Sequence, residues 1–339
     1  MASFDVSATA RGFHRPTVSF ELMPPRNPAA APKFWNTARK LVEAHPDFVS
    51  VTYGAAGGDR DSARTVVETL VQHTNVLPIA HLTCVGATRD NVADTIDDFL
   101  AAGARTFLAL RGDPPKDQPD WAPPTNGVVS SLELIALLRD VEAQRCQADA
   151  SEALRGAMKP LTIAVATFPE GNRDAGTTRE QEAARLLQKQ QAGANFAITQ
   201  LFYTASAYTE FVDVARSLGV TIPIVAGILP MTDPQRLRRL EQLTGVPVPL
   251  ELAAQLDAIT SPHVRHSHGI AASVDLANAV LDSGAPGLHI YTFNKHEPAL
   301  DLLEGVHLGG SLGGVAPVRS PQPVDVAGWP QVGASPVTA

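Results

Sequence analysis

The chain has 339 residues, 44% of them hydrophobic, and a formal net charge of -8. That supplies apolar material for one large α/β domain, since a barrel of that class needs roughly 250 residues, and it excludes the global basic surface on which nucleic-acid binding depends. Cys84 and Cys146 form no CxxC pair, the polar N-terminus lacks a signal-peptide core, and no segment approaches the roughly 20 apolar residues of a membrane span, so a cytoplasmic protein with reduced thiols is expected.

Short β-branched runs alternate with helical patterns, and that alternation predicts parallel strands joined by crossover helices. The first strand is expected over 17–22, followed by a helix over 32–44, a strand over 48–53, a helix over 60–74 and a strand over 78–84. A helix over 89–102 and a strand over 106–110 complete four compact units. GDPPKDQPDWAPPTNG carries too many prolines and turn residues for regular structure and reads as a rim loop. A helix over 131–147 leads into ADASEALRGAMKP, a polar stretch read as a surface insertion. Then come a strand over 161–167, a helix over 178–192, a strand over 196–200, a helix over 205–218 and a strand over 222–226. ILPMTDPQRLRRLEQLTG begins a helical excursion before a last strand over 287–292 and a helix ending near Leu303. The resulting division is an N-terminal extension over 1–15, a single (βα)8 barrel over 16–308 and a disordered Gly/Pro/Ser/Val tail over 309–339.

A polar residue capable of chemistry stands at or just beyond the end of most strands: Glu21, Thr52, His81, Asp113 and Gln200. In a (βα)8 barrel the strand C-termini gather at one rim, so the pattern points to an enzyme. Glu21 lies beside Leu22, Met23 and two prolines, where partial desolvation would raise its pKa and fit it for general-acid work. A solvated rim carboxylate is the plainer alternative. Gly112 lets the backbone approach a ligand, and Arg111 supplies a cation, although GDPP also has turn chemistry of its own. Gln200 can donate and accept at once, as a pterin edge or a carboxamide requires, and Phe202 and Tyr203 offer flat apolar surface or ordinary core. His263, His266 and His268 fit neither HExxH nor a closed zinc set, so no metal is expected.

SFELMPPR, FVSVTYGA, AHLTC, LALRGDPP, AGANFAITQLFY, GILP and HIYTFN follow one another in an order and spacing that resemble the 5,10-methylenetetrahydrofolate reductase family, over about residues 16–303. The resemblance implies a catalytic barrel of the bacterial type that converts methylenetetrahydrofolate to 5-methyltetrahydrofolate, with bound FAD and NADH or NADPH as donor. It assigns Glu21 the protonation that opens the folate's five-membered ring, and places Asp113 near pterin and flavin. Thr52, Tyr53, Ala55, His81, Arg111, Gly112, Asp113, Arg185 and Lys189 fall to the cofactor. Gln200, Thr52, Phe202, Arg236 and Lys295 fall to the substrates.

The chain also departs from the family. Ser130 and Ser131 replace a usual Tyr-Ala pair, and Phe168 and Asn172 replace the tyrosine and histidine of a YPE segment. Glu182, Arg185 and Gln188 differ on the helix before AGAN, leaving Arg185 and Lys189 to meet the pyrophosphate charge. Arg236 and Lys295 stand where Gln and Arg are usual, and this extra charge would suit a 2′-phosphate. Direct hydride transfer without flavin is therefore the alternative mechanism. A folate-binding methyltransferase domain and a noncatalytic folate or flavin binder are the alternatives of other classes. Homo-oligomerisation stays open, because neither composition nor tail declares an interface.

Overall fold

A computed structural model describes residues 15–53, 60–113 and 122–308. Its strands are β1 (Thr17–Leu22), β2 (Phe48–Val51), β3 (Leu77–Thr83), β4 (Thr106–Leu110), β5 (Thr162–Thr167), β6 (Phe196–Thr199), β7 (Ile224–Ile228) and β8 (Gly287–Ile290). They close into a barrel in sequence order. Both faces of such a sheet are covered, which is why the strands read as continuous Val, Ile, Leu and Ala runs rather than alternating ones.

The crossovers are α1 (Ala31–Glu43), α2 (Arg60–His73), α3 (Arg89–Ala101), α4 (Ser131–Ala148), α5 (Ala150–Met158), α6 (Arg179–Gln191), α7 (Ala205–Ser217), α8 (Pro234–Thr244), α9 (Leu250–Ala258), α10 (Pro262–Asp282) and α11 (His296–Gly305). Short polar side chains start most of them. The hydroxyls of Thr88, Ser130, Thr204 and Ser261 and the carboxylate of Asp233 accept from first-turn amides, and Thr178 with Gln181 forms a reciprocal capping box.

The described residues group into two compact units, 20–163 and 15–19 with 164–308. In the first, parallel registers run Val51 to Ala80 and Ala80 to Phe107, and Phe20, Phe48, Phe99 and Phe107 are fully buried. Burial of each such ring contributes about 1.5–3 kcal/mol. In the second, Thr167 pairs with Thr199, Ile198 with Val225 and Ile228 with Ile290. There the start of β1 is tied to β8, with the Thr17 amide donating to the Pro286 carbonyl at 3.0 Å and the Ser19 hydroxyl to the Leu288 carbonyl at 3.0 Å.

Several details differ from the sequence reading, among them the ends of β2 at Val51 and of β8 at Ile290, each two residues earlier than expected. The stretch read as a surface insertion is the helix α5, because Asp149 caps the amides of Ser151 and Glu152 and Arg145 of α4 pairs with Glu152 at 3.4 Å. It is nine residues long and buries none of them, leaving Leu154 and Met158 exposed, so it is not a core-facing crossover. β7 begins two residues later than expected, after Pro223, and runs on through Gly227 and Ile228. The single excursion after β7 is three helices, α8 to α10. Half of the proline-rich loop (114–121), the N-terminal extension but for Arg15, and the tail lie outside the described residues.

Candidate active site

In the unit formed by residues 20–163, the rim residues are carried by β1 to β4. Glu21 is half-buried between Phe20 and Leu22, both wholly buried, and this loss of water pushes its carboxyl up to about 7. A carboxylic acid that keeps its proton near neutral pH is suited to donate it. Thr52 is half-buried, and its amide donates to the Leu22 carbonyl at 2.9 Å, which pins the exit of β2 to that of β1.

His81 on β3 is only 6% exposed, and burial lowers its pKa to about 3, so the imidazole is neutral. Its Nε2 has no hydrogen-bond partner among the described residues. A buried polar atom left unsatisfied is costly, and such an atom at a strand of the barrel calls for a ligand group to complete it. After β4, the carbonyl of Arg111 accepts from the Val85 amide at 3.0 Å, while Arg111 and Asp113 are exposed. Gly112 has φ +83, and a Cβ there would lie 2.6 Å from Val85, so both conformation and space demand glycine.

Tyr53 is grouped with the helices. Its ring packs edge-on to Phe99 of α3, with centroids 6.0 Å apart, and lines a cavity of about 380 Å³ with Asp61 and Arg64 of α2 and Asn91, Asp94 and Asp98 of α3. Ala55 lies outside the described residues. The Cys84 thiol is pushed up to about 11 by burial and donates to the Arg111 carbonyl at 3.3 Å, which makes it inert.

In the other unit, the amide of Gln200 donates to the Thr167 carbonyl at 2.7 Å, and its side-chain oxygen accepts from the Leu201 amide at 2.8 Å. That fixes the carboxamide and leaves its NH2 to point at other partners. Phe202 is buried and stacks on Tyr208 of α7 at 5.7 Å, so its ring is occupied by the core. Arg185 pairs with the buried Glu182 at 2.8 Å, and Lys189 donates to the Ala166 carbonyl at 2.7 Å. Both cations expected to meet a pyrophosphate are thus already engaged. Arg236, in the first turn of α8, lies over the Phe293 ring at 5.2 Å, while Lys295 is exposed at the start of α11. The HVRHSH histidines serve α10: His266 contacts Asp301 at 2.5 Å and His268 contacts Gln255 at 3.0 Å.

Several residues escaped the sequence reading. Thr167 ends β5 with a buried hydroxyl that has no hydrogen-bond partner among the described residues, and the buried hydroxyl of Tyr203, a residue read from the sequence only as apolar surface or core, is in the same condition. Thr167 carried the same signal as Thr52, a polar residue at a strand end. Phe293 and Asn294 adopt φ +48 and +54 just past β8, a left-handed pair that no residue type announced.

A profile of the family described as Methylenetetrahydrofolate reductase matches residues 7–307. The chain belongs to this family. Its members are oxidoreductases, and methylenetetrahydrofolate reduction is the activity their name carries. The 5,10-methylenetetrahydrofolate reductase of Pectobacterium carotovorum is 31% identical over 84% of this chain and 87% of its own length. That of Escherichia coli is also 31% identical, over 83% and 87%. A rice protein named probable methylenetetrahydrofolate reductase (NADH) is 29% identical over 87% of this chain but only 48% of its own length. Among solved structures, an uncharacterised Clostridium thermocellum protein that binds two copies of 5-methyl-5,6,7,8-tetrahydrofolic acid aligns with TM-score 0.56 at 14% identity, over 88% of this chain and 99% of that one. This last likeness shows the fold alone.

Set against the flavin that a methylenetetrahydrofolate reductase of this type would hold, the residues divide. The unpartnered His81 Nε2 and the Gly112 turn fit a flat polar ring. The polar departures do not add to a cradle for its adenosine end. The Ser130 hydroxyl is spent on the Glu133 amide at 3.2 Å, and the Asn172 side chain on the Ala175 amide at 3.2 Å.

Proposed function

We propose that this chain reduces 5,10-methylenetetrahydrofolate to 5-methyltetrahydrofolate with NADH or NADPH, that Glu21 is the general acid, and that the product feeds methionine synthesis in the cytoplasm. The observation that carries the reading is the Glu21 carboxyl, pushed up to about 7 by burial at the end of β1. Its proton goes to N10 of the folate, the bond from N10 to the bridging carbon breaks, and a hydride completes that carbon as a methyl group, so one proton and one hydride balance the reaction. Asp113 and Gln200 orient the pterin. Thr52, Ala55, His81, Arg111 and Gly112 hold the cofactor, and Arg236 and Lys295 serve the substrates, while Tyr53 and Phe202 support them from the core. A bound FAD would take hydride from the nicotinamide and pass it to the folate, giving ping-pong kinetics.

Direct transfer from the nicotinamide to the folate is the second reading, favoured by the engagement of Arg185 by Glu182 and of Lys189 by the Ala166 carbonyl. The visible spectrum of purified protein, followed anaerobically, tests both. A flavin band that bleaches with NADH and returns with methylenetetrahydrofolate is the expected result. Folate-dependent NADH oxidation without flavin would select direct transfer, and methyl transfer without NAD(P)H oxidation would overturn the reductase reading.

A further inference from the structure

We propose that Glu182 is an internal counter-anion that excludes the diphosphate of a flavin dinucleotide from α6, so that this chain recognises the flavin ring and gains nothing from the ADP half. The inference rests on the reading of the protein as a folate reductase whose α6 faces the cofactor.

Glu182 is 2% exposed, and a buried carboxylate persists only with partners. It has them. The Thr177 hydroxyl donates to Oε1 at 2.5 Å and the Arg185 guanidinium donates to the same oxygen at 2.8 Å. Thr177 also closes a short antiparallel bridge with Asn172, so the loop after β5 is latched to the carboxylate. Two turns along the helix, Lys189 is half-buried with its ammonium on the Ala166 carbonyl.

A diphosphate needs donors that have no anion of their own. Here one fixed negative charge stands among the cations, and an incoming phosphate would meet that charge at short range, where like charges repel. Arg185 itself is 45% exposed, so what prevents it from turning to a phosphate is Glu182 rather than burial. Removing the charge while keeping the shape should release it.

The test is a titration of the purified full chain with FAD and with riboflavin, read by quenching of flavin fluorescence, for the natural protein, Glu182→Gln, Glu182→Gln with Arg185→Gln, and Arg185→Gln alone. The natural protein is expected to bind the two flavins with affinities within about threefold of each other. Glu182→Gln, which retains an acceptor for Thr177, is expected to tighten FAD at least about tenfold with riboflavin unchanged, and the added Arg185→Gln to cancel that gain. Arg185→Gln alone should leave FAD affinity where it was, a result that stands even where Glu182→Gln does not fold. The inference is overturned by natural protein that prefers FAD over riboflavin more than about tenfold, by an unchanged ratio in Glu182→Gln, or by lack of binding to either flavin in both proteins. Absence of folate-dependent NAD(P)H oxidation would sink the reductase reading separately, because the binding ratio is measured without turnover.

Discussion

Glu21 should govern how turnover responds to pH. Its protonated form is the reactive one, so the rate is expected to fall as pH rises through about 7, and Glu21→Gln should lower kcat by about 10²–10⁴-fold and flatten that limb. A pH–rate profile with no descending limb near 7 would refute the assignment. The same burial has a cost in stability. Between the ordinary 4.5 and the folded value of about 7 the folded chain keeps a proton that the unfolded chain has released, so stability declines across that window and stays reduced above it. The loss amounts to about 3 kcal/mol, and urea unfolding of Glu21→Gln at pH 5 and pH 8 should show it largely abolished. His81 offers a complementary check. With Nε2 unpartnered among the described residues, His81→Leu should leave stability unchanged or higher while weakening flavin binding. A variant that loses both in parallel would mean the imidazole is only structural.

At the scale of the elements, the barrel strands position these groups through contacts that tolerate little change. Gly227 of β7 donates its amide to the Thr199 hydroxyl at 2.8 Å, and the Tyr291 hydroxyl donates to the Thr199 carbonyl at 2.6 Å. A Cβ on Gly227 would collide with that carbonyl and stand 2.7 Å from the Tyr291 ring. Gly227→Ala is therefore expected to cost about 1–3 kcal/mol in thermal or denaturant unfolding. The contrast between α5 and the other crossovers belongs here too. Alternation with the strand signals made α1 to α4 legible within a residue or two, whereas the docking of α5 depends on the Arg145–Glu152 pair, a contact that appears only once α4 has been placed.

For the molecule as a whole, the proposed division puts the activity within residues 16–308. A chain ended after Leu308 is expected to retain kcat and KM, and a large loss on truncation would assign the last residues a part in the barrel or its site. Initial-rate patterns belong to the same scale: parallel lines are expected if one bound flavin alternates between donor and folate, and intersecting lines if both ligands must be present together.

The order of the strands and of the first four helices, the strand-end positions of Glu21, Thr52 and Gln200, and the family itself were all legible in the sequence. Each is written in local patterns, as β-branched runs, caps, turn residues and a polar residue at a strand's end. What the tertiary structure alone decided is the state of those side chains. Burial raised Glu21 and left His81 Nε2 without a partner, core packing claimed Phe202 and Tyr53, and a carboxylate three residues away along α6 claimed Arg185. Protonation and pairing depend on how much water and which charges surround a group, and those neighbours come from segments distant in sequence or from the far side of a helical turn.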